Sequence, residues 1–543
     1  MKKFQLSFSL ILLIPTLCFS FTWGALSKIL DVTPDSEDFL SCVQSKSSNV
    51  TFISQLVFTP ANSSFLPIWQ ARVKNLRFIK SSTSKPSVVV TPVDESQIRT
   101  TLLCSKKHGY EMRIRCGGHD LEGLSSTADV PFVMLDLNNM RSVDVNVANR
   151  IAWVQSGAVL GEVYYAISKK TDTLYFPAGV CPTVGISGFL SGGGYGHMIR
   201  KYGTGADNVV DVRFMDVNGN ILDKLSMGKD LFWAIRGGGA SSFGIVLAWK
   251  LRLVRVPKLV TVFSVSKTLE EDATEVLHKF QYVVPSIDKN LSIRVTISSV
   301  DITNSTKKTI NTIFNGIYYG KIDTLLLLLD KKFPELNVTR EICEEMRMVQ
   351  ASLVFGGYTS NTSPEILLTR SSTFVLNGKN KLDYVKTPIP ITGLKRIWKK
   401  IFENDGSEIL FMHSFGGKND EYSETAIPYP HRAGVLYQFH QQVNFNDQIS
   451  DSTPESLRRI NWLRSLNEYI TPYVSKNPRE AYSNYNDLDL GVGTDNYEEA
   501  SKWGERYWKR CNFEKLIHIK DIVDPDNFFR HPQSIPVFSK SLP

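Results

Sequence analysis

One histidine, one cysteine and an unusual density of glycines lie close together in the first half of this 543-residue chain. His119 follows Gly117 and Gly118, and Cys181 lies within residues 179–205, where nine of the 27 residues are glycine. Glycines permit turns with positive φ and let backbone amides approach a large ligand closely. Apolar residues are interspersed among them, which argues against the alternative of a flexible loop. The pattern therefore favours a bound nucleotide cofactor.

A further glycine cluster narrows the kind of nucleotide site. Residues 236–239 precede an apolar run at 245–250 and are predicted to form another contact with a phosphate or ring. No cluster has the G-x-x-x-x-G-K-[ST] spacing of a P-loop, and residues 192–196 are not a G-x-G-x-x-G turn between a strand and a helix. These patterns argue against a kinase, a P-loop ATPase and a Rossmann dehydrogenase.

The elements that must position these residues follow from hydrophobic patterning. Residues 87–93 are rich in valine and predict a strand, 94–108 have helical periodicity, and 112–116 predict a strand that runs into Gly117. Strand, helix, strand is a βαβ signature. Further strands are predicted at 132–137, 151–155, 209–216 and 245–254.

The composition changes after Pro257, where longer amphipathic helices such as 275–284 and 322–332 appear. We predict a second domain over 258–478. The tail from Tyr482 to Pro536 is rich in Asp, Asn and Trp and is expected to pack back on the first domain.

The N-terminus predicts entry into the secretory pathway. Two lysines precede a short apolar stretch and small residues near position 24, which is typical of a signal peptide over residues 1–24. No other run reaches the roughly 20 apolar residues of a membrane-spanning helix. Six glycosylation sequons agree with passage through the secretory lumen, at Asn49, Asn62, Asn290, Asn304, Asn337 and Asn361. The expected destinations are vesicles derived from the endoplasmic reticulum, the vacuole or the extracellular space.

The distribution of charge argues against some classes of binding partner. The net charge is +8, but the densest basic cluster, residues 395–400, is interleaved with apolar residues at helical spacing and indicates a solvated face. We therefore expect no nucleic-acid partner, no membrane span and a monomer.

Six cysteines remain after the signal peptide, without zinc-site spacing, and their scatter favours one or two structural disulfides. No metal site is predicted.

Several motifs together resemble one family. They are RIRCGGHDLEGLS at 113–125, GVCPTVG, SGGGYG and RKYG within 179–203, AIRGGGASSFGIV at 234–246 and PYPHRAG at 428–434. With YNDLDLG at 485–491 and DPDNFFRHPQSIP at 524–536, they resemble the plant berberine bridge enzyme-like flavoproteins over nearly the whole chain.

The resemblance implies an α+β architecture, a vanillyl-alcohol-oxidase (PCMH-type) FAD-binding fold with a separate α/β substrate domain. The FAD-binding domain would span 25–257, with its PCMH-type core at about 82–257, and a C-terminal segment, 479–543, would pack back on it. FAD would be attached twice, through its 8α carbon to His119 and through C6 to Cys181. The remaining implied cofactor contacts are Arg115, Gly117, Gly118, Gly185, Ser187, Gly192, Gly193, Gly194, Gly196, Gly237, Gly238, Ile245 and Val246.

The resemblance also assigns the cysteines. Cys42 and Cys104 match the disulfide pair of the family. Cys116, Cys343 and Cys511 would then be free, buried thiols.

The expected catalytic residues include three tyrosines that match active-site tyrosines of the family, namely Tyr195, Tyr482 and Tyr485. Gln438 stands where the berberine bridge enzyme and the cannabinoid synthases have a glutamate, and a glutamine cannot accept a substrate proton. His440 lies on the same strand face and either replaces that base or is a structural histidine.

Further departures separate this chain from the family pattern. Leu121 replaces an active-site tyrosine, Phe189 replaces a histidine, and Asn486 replaces an arginine. Val184, three positions after the tethering cysteine, is the small β-branched residue that accompanies reactivity with dioxygen, with core packing as its alternative role.

Loss of the glutamate and of one tyrosine favours oxidation of an alkaloid amine, because hydride loss assisted by a nitrogen lone pair requires no strong base. The expected partners are thus a small-molecule alkaloid and dioxygen, which is reduced to hydrogen peroxide. One alternative is an alcohol oxidase acting on carbohydrates or monolignols, with a tyrosine as base. Another is a flavin-bearing defence protein with vestigial activity.

Overall fold

The computed structural model describes residues 36–47, 50–302, 307–370, 377–445, 453–493 and 496–538. The predicted signal peptide and two of the sequons, Asn49 and Asn304, lie outside the described residues. Of the other sequons, Asn62, Asn337 and Asn361 are exposed and Asn290 is half-buried.

Eighteen strands occur in the described residues. They are β1 Val57–Phe58, β2 Val88–Val90, β3 Glu111–Arg115, β4 Phe132–Asp136, β5 Val143–Asn146, β6 Ile151–Gln155, β7 Leu174–Tyr175, β8 Val209–Met215, β9 Ile221–Leu222, β10 Ile245–Arg252, β11 Val254–Arg255, β12 Val260–Thr268, β13 Leu291–Asp301, β14 Lys308–Tyr318, β15 Cys343–Met346, β16 Gly378–Val385, β17 Glu408–Ser414 and β18 Tyr437–Asn444.

Fourteen α-helices connect the strands that the structure describes. They are α1 Ser36–Lys46, α2 Val50–Leu56, α3 Phe65–Gln70, α4 Glu95–Lys107, α5 Leu160–Ser168, α6 Ile186–Ser191, α7 Ile199–Tyr202, α8 Gly228–Ala234, α9 Ala273–Val283, α10 Ile322–Lys332, α11 Met348–Phe355, α12 Ile391–Ile401, α13 Pro454–Tyr469 and α14 Tyr497–Val523.

The described part of the first half contains three sheets, of which the smallest is the antiparallel pair β11-β7. One has the order β1-β2-β4-β3, in which β2 and β3 both pair parallel with β4. The predicted βαβ unit is present, with β4 inserted between its two strands, and α4 begins where the Asp94 carboxylate accepts a hydrogen bond of 3.0 Å from the Gln97 amide. The second sheet is antiparallel, with the order β5-β6-β10-β8-β9.

The second half is built on one antiparallel sheet with the order β15-β12-β14-β13-β17-β18-β16. Its two faces differ because side chains alternate along each strand. Ile293, Leu410 and Phe439 lie on the face that packs against α9, α10, α12 and α13. Arg294 and Phe411 lie on the opposite face, which looks toward the glycine-rich loops of the first half.

The C-terminal segment contacts the first half through specific hydrogen bonds. In α14, the Trp508 indole donates to the Gly237 carbonyl over 2.8 Å, and the Lys520 ammonium donates to the Ser242 carbonyl over 2.6 Å. The exact limits of the predicted domains, residues 25–257, 258–478 and 479–543, stay a prediction.

The cysteines confirm one expectation and correct another. Cys42 and Cys104 form a disulfide, as the resemblance implied. Cys116, Cys343 and Cys511 are free, but the expectation that all three are buried is wrong. Cys116 and Cys343 are half-buried, and Cys511 is exposed because it falls on the solvent side of α14.

Among the residues that the structure describes, no helix combines the length and apolar character that a bilayer crossing requires.

Candidate functional site

A cavity of about 640 Å³ lies where the glycine-rich loops, the open face of the seven-stranded sheet and the C-terminal segment meet. This volume is within the usual range for small-molecule and cofactor sites. All three parts of the chain contribute to its lining, for example Gly117, Phe411 and Tyr485.

Two glycines bring the His119 loop and the Cys181 loop into direct contact. A Cβ added at Gly117 would lie 2.2 Å from the Gly185 amide nitrogen, and one added at Gly185 would lie 2.4 Å from the Gly117 amide nitrogen. Because any side chain at either position would force the loops apart, these glycines are needed for close backbone packing. The contact places both predicted tether residues in the same cavity wall.

The hydroxyl of Thr183 contacts both predicted tether residues. It lies 2.7 Å from His119 Nε2 and 3.6 Å from Cys181 Sγ. The two side chains therefore point to one small region of the cavity. Thr183 was not singled out from the sequence.

Burial determines the charge of His119. Desolvation, together with a smaller effect of the nearby Lys74 ammonium, lowers its pKa to about 3. The imidazole is therefore neutral at physiological pH. Burial has the opposite effect on the neighbouring Cys116 thiol, whose pKa it raises to about 11.

Nine residues expected at the cofactor line this cavity. They are Gly117, Gly118, His119, Cys181, Gly185, Ser187, Gly192, Gly196 and Val246. Gly192 also makes room for the tail, because a Cβ there would lie 2.3 Å from Asn484 Oδ1.

Arg115 was expected at the cofactor but lies outside the cavity lining. It is fully buried beneath the site, where its guanidinium binds the Asp136 carboxylate over 2.6 Å and the Ile68 carbonyl over 2.7 Å. Its guanidinium donates hydrogen bonds to Asp136, Trp69 and Ile68, all within the protein, and it supports β3.

Five other expected cofactor residues also lie outside the lining and have packing roles. A Cβ added at Gly193 would meet the Tyr429 ring, and one added at Gly194 would meet the Phe189 ring. A Cβ added at Gly237 would also meet Tyr429, and one added at Gly238 would meet Leu516. Ile245, at the start of β10, belongs to a hydrophobic core cluster.

Three tyrosines lie at the end of the cavity nearest the sheet. The Tyr195 hydroxyl donates to the Tyr485 hydroxyl over 3.1 Å. The Tyr482 hydroxyl accepts from the Gly194 amide over 3.0 Å and from the Asn484 amide over 2.9 Å, so Tyr482 ties the tail to the glycine loop. Burial raises the pKa of all three phenols, and the neighbouring phenols raise that of Tyr195 further.

Gln438 does not reach the cavity, although it was expected among the catalytic residues. It is fully buried, and its Nε2 donates to the Tyr384 hydroxyl over 3.3 Å. His440 and Gln442, on the same face of β18, do line the cavity. Strand alternation correctly predicted the sheet face on which Gln438 lies, but it did not predict how deeply the side chain is buried.

His440 is packed between two rings, at 5.3 Å from Phe411 and 5.0 Å from Tyr485 between ring centroids. Its Nε2 lies 2.7 Å from Asn380 Oδ1, and burial lowers its pKa to about 3. The imidazole is neutral and already hydrogen-bonded, which fits a wall residue better than a free base.

The residues that depart from the family pattern also line the cavity. Leu121 and Phe189 place apolar groups there, and Asn486 is held by a hydrogen bond of 3.3 Å to Gln533 Oε1. Val184 is half-buried, packs against the core of the first half and faces the cavity.

Sequence reasoning missed several lining residues on the sheet, namely Arg294, Asn380, Phe411 and His413. The available signal was the alternating pattern around Arg294, where Ser292, Arg294 and Thr296 alternate with apolar residues. That pattern alone does not distinguish a ligand-facing surface from a solvated one.

The fold and the cavity define an FAD-binding oxidoreductase, and comparison with known proteins agrees. A family model for an FAD binding domain matches residues 86–224, and one described as berberine and berberine like matches residues 481–536. The chain is 43% identical to tetrahydroberberine oxidase of Berberis wilsoniae, over 95% of this chain and 98% of that protein.

Solved structures give the same result. Berberine bridge enzyme-like protein 28 of Arabidopsis thaliana is 41% identical, with a TM-score of 0.85 over 92% of this chain and 99% of that chain. The grass pollen allergen Phl p 4, which has glucose dehydrogenase activity, is 38% identical with the same TM-score and coverage. The chain belongs to the berberine bridge enzyme-like family and is an FAD-dependent oxidase.

The residues present fit FAD. A Cβ added at Gly188, which lines the cavity, would meet nothing within 4 Å, so the backbone there faces open space that a ligand can fill. The neutral imidazole of His119 and the thiol of Cys181 lie beside that space, and both are nucleophiles of the kind that covalent flavin attachment requires.

Proposed function

We propose that the protein oxidises an alkaloid amine to an iminium and passes the electrons to dioxygen, which is released as hydrogen peroxide. The proposal includes an FAD attached to both His119 and Cys181. It also includes a monomeric protein that enters the secretory pathway.

The observation that carries this proposal is the burial of the tyrosine end of the cavity, where Tyr195, Tyr482 and His440 are nearly inaccessible to solvent. Burial keeps Tyr195, Tyr482 and Tyr485 protonated, and it keeps His440 neutral. Among the described lining residues the only acid is Asp120, whose carboxylate accepts hydrogen bonds from the backbone amides of Glu122 and Leu124. This arrangement suits a reaction that does not depend on a strong protein base.

When bound, FAD would supply the hydride acceptor and the path by which the electrons reach dioxygen. The chain's own residues then have three tasks. Phe411 and His440 offer flat surfaces for a polycyclic substrate, and the Tyr195–Tyr485 pair provides hydroxyls that orient the substrate nitrogen. The lone pair of that nitrogen stabilises the carbon from which hydride leaves, and the product is an iminium.

Covalent attachment is supported by the contacts of Thr183. Its hydroxyl lies near both His119 and Cys181, and engagement of His119 Nε2 leaves Nδ1 for a bond to the flavin. Dioxygen reactivity is supported by Val184, because a small side chain at this part of the wall leaves room for dioxygen beside the cofactor.

An alkaloid substrate is supported by the similarity to tetrahydroberberine oxidase. As specific candidates we propose indole alkaloids, with O-acetylstemmadenine, which is oxidised to precondylocarpine acetate, as the first to be tested. Its tertiary amine and polycyclic skeleton match the hydroxyl pair and the flat aromatic wall.

The deciding experiment is anaerobic reduction of the flavin, which is monitored as the loss of its visible absorption. The panel contains O-acetylstemmadenine, tetrahydroberberine, a glucose oligomer and a monolignol. We expect bleaching with an alkaloid and one equivalent of hydrogen peroxide per turnover when air is admitted. Bleaching by the sugar or the monolignol alone would overturn the proposal.

The second candidate is an alcohol or carbohydrate oxidase, and the hydrogen-bonded pair Tyr195–Tyr485 is the observation that favours it. A paired hydroxyl can relay a proton from an alcohol if one phenol becomes ionised in the complex. The similarity to Phl p 4 gives this candidate a precedent with glucose.

A further inference from the structure

Arg294 is a half-buried cation at the cavity wall for which the described residues supply no anion. It lies on β13 with its side chain toward the cavity, and its Nε has no hydrogen-bond partner in the described protein. No carboxylate of the described chain forms an ion pair with it. The Nε atom is buried, and a charged group that loses water without gaining a partner is costly, so such groups are normally paired.

The groups around Arg294 do not compensate its charge. Its guanidinium carbon lies 5.7 Å from the centre of the Phe411 ring. His413 lies opposite Arg294 on the neighbouring strand. Burial keeps both His413 and His197 neutral, and the charge of Arg294 lowers both of their pKa values further. Tyr195 and Tyr485, the remaining titratable neighbours, are protonated.

A second unpartnered donor lies across the same aromatic surface. Asn380 is buried, its Oδ1 is bonded to His440, and its Nδ2 has no partner among the described residues. His440 is stacked on Phe411, with an angle of 22° between the rings. Arg294 and Asn380 thus flank a flat aromatic floor, and each has an N–H donor without an acceptor.

We infer that Arg294 is a specificity-determining residue that binds an oxygen acceptor of the substrate, either a carboxylate or an ester carbonyl, while the substrate rings lie on Phe411 and His440. Asn380 takes a second acceptor. This inference rests on the proposed function for the identity of the substrate but not for the binding chemistry. The planar guanidinium offers paired donors that match a carboxylate.

The position of Arg294 separates this role from cofactor binding. It stands on the sheet wall among the tyrosines, whereas the glycine loops, Arg113 and Arg530 line the other parts of the cavity. The same cation repels a protonated amine, so the enzyme binds the uncharged form of an alkaloid. A substrate that has an ester carbonyl for Arg294 and an unprotonated amine meets both requirements.

The test uses the flavin absorption spectrum of the intact holoenzyme as a binding signal, with benzoate as the carboxylate probe and benzyl alcohol as its neutral counterpart. Arg294→Met should weaken benzoate binding by about 30-fold or more, because truncating one partner of a buried charge pair has an effect of this size. Benzyl alcohol binding should change less than about threefold. Arg294→Lys keeps the charge but not the planar pair of donors, so its affinity for benzoate should fall between those of the wild type and Arg294→Met.

The matched control is Arg396→Met, which removes an exposed arginine on α12. It should leave benzoate binding and flavin content unchanged. Flavin content is also measured in Arg294→Met, so that misfolding is recognised. With O-acetylstemmadenine, Arg294→Met should raise the dissociation constant and leave the limiting rate of flavin reduction nearly unchanged.

Equal benzoate affinity in wild type and Arg294→Met would overturn the inference. So would a shifted pH profile of flavin reduction with benzoate binding intact, since Arg294 would then act on the tyrosines instead. Failure of every alkaloid to reduce the flavin would overturn the proposed function alone, because benzoate binding requires no turnover.

Discussion

The hydroxyl of Tyr195 donates a hydrogen bond of 3.1 Å to the hydroxyl of Tyr485, although 290 residues separate them in the chain. The pair joins the glycine-rich loop to the C-terminal segment at the end of the cavity nearest the sheet. Because burial raises the pKa of both phenols, the pair is fully protonated at neutral pH. It can orient a substrate through hydrogen bonds, but it is a poor base.

The first prediction concerns Tyr485→Phe. If the substrate nitrogen supplies the driving force, this change should slow anaerobic flavin reduction by less than the roughly 100-fold that loss of a general base costs. The rate should rise with pH through the pKa of the substrate amine, since only the free amine reacts, and the profile should move when that amine is changed. Stopped-flow reduction of the flavin measures both effects.

Tyr282→Phe, at an exposed position on α9, is the control, and its flavin should be reduced by the substrate at the wild-type rate. If Tyr485→Phe abolished reduction while substrate still bound, the base-free scheme would be wrong. The alcohol oxidase candidate would then be the better one.

The second prediction concerns the flavin tether. Acid-precipitated wild-type protein should stay yellow, and His119→Ala and Cys181→Ala should each retain flavin through the other residue. Thr183→Val should slow the appearance of bound flavin, because it removes the hydroxyl that contacts both side chains. Absorbance of the washed, redissolved precipitate measures attached flavin.

Thr392→Val provides the control for this series, because Thr392 is exposed at the start of α12. Free FAD in the supernatant of precipitated wild-type protein would disprove the double attachment. Attachment at the normal rate in Thr183→Val would show that Thr183 has no part in it.

The sequence predicted the secondary structure better than it predicted the cavity wall. Where hydrophobic patterns gave bounds, they placed β6 and α10 at the observed ones and most of the other predicted elements within one or two residues. The glycine motifs, read with the family resemblance, brought His119 and Cys181 to one site. Local patterns succeed here because these elements are set by side-chain periodicity.

The failures have a different physical origin. Gln438, Arg294 and Arg115 are polar residues on strands, and alternation gives only the face on which each lies. Their actual roles depend on what packs against that face: Tyr384 covers Gln438, Asp136 pairs with Arg115, and no described acid approaches Arg294. These are tertiary contacts that local sequence does not contain.

The third prediction concerns Val184→Leu. A larger side chain at this half-buried position should obstruct dioxygen beside the flavin without affecting substrate binding at the sheet wall. Reoxidation of the reduced enzyme by dioxygen should therefore slow by tenfold or more, about 1.4 kcal/mol in barrier, while reduction by substrate changes less than about threefold. Separate stopped-flow measurements of the two half-reactions give both rates.

Val147→Leu makes the same substitution at an exposed site and should alter neither half-reaction. Equal slowing of reduction and reoxidation in Val184→Leu would indicate that Val184 only fills the core.

The last prediction concerns a buried ion network that joins the three parts of the chain around the cavity. The Lys381 ammonium lies 2.7 Å from the Asp487 carboxylate and 2.8 Å from that of Asp489, two residues in the tail just after Tyr485. The Lys379 ammonium pairs with Glu122 from the His119 loop and, over 2.9 Å, with Asp487. Lys379, Lys381, Glu122 and Asp487 are all nearly inaccessible to solvent.

Lys381→Met should lower the free energy of unfolding by about 3 kcal/mol, because it leaves buried carboxylates without their second cation. The loss should be larger than in Lys399→Met, an exposed lysine on α12 whose removal should cost less than about 0.5 kcal/mol. Denaturant unfolding followed by tryptophan fluorescence measures both. Equal stability of the two variants would mean that the network adds no net stability, and Tyr485 would then owe its position to ring packing and to its hydrogen bond with Tyr195.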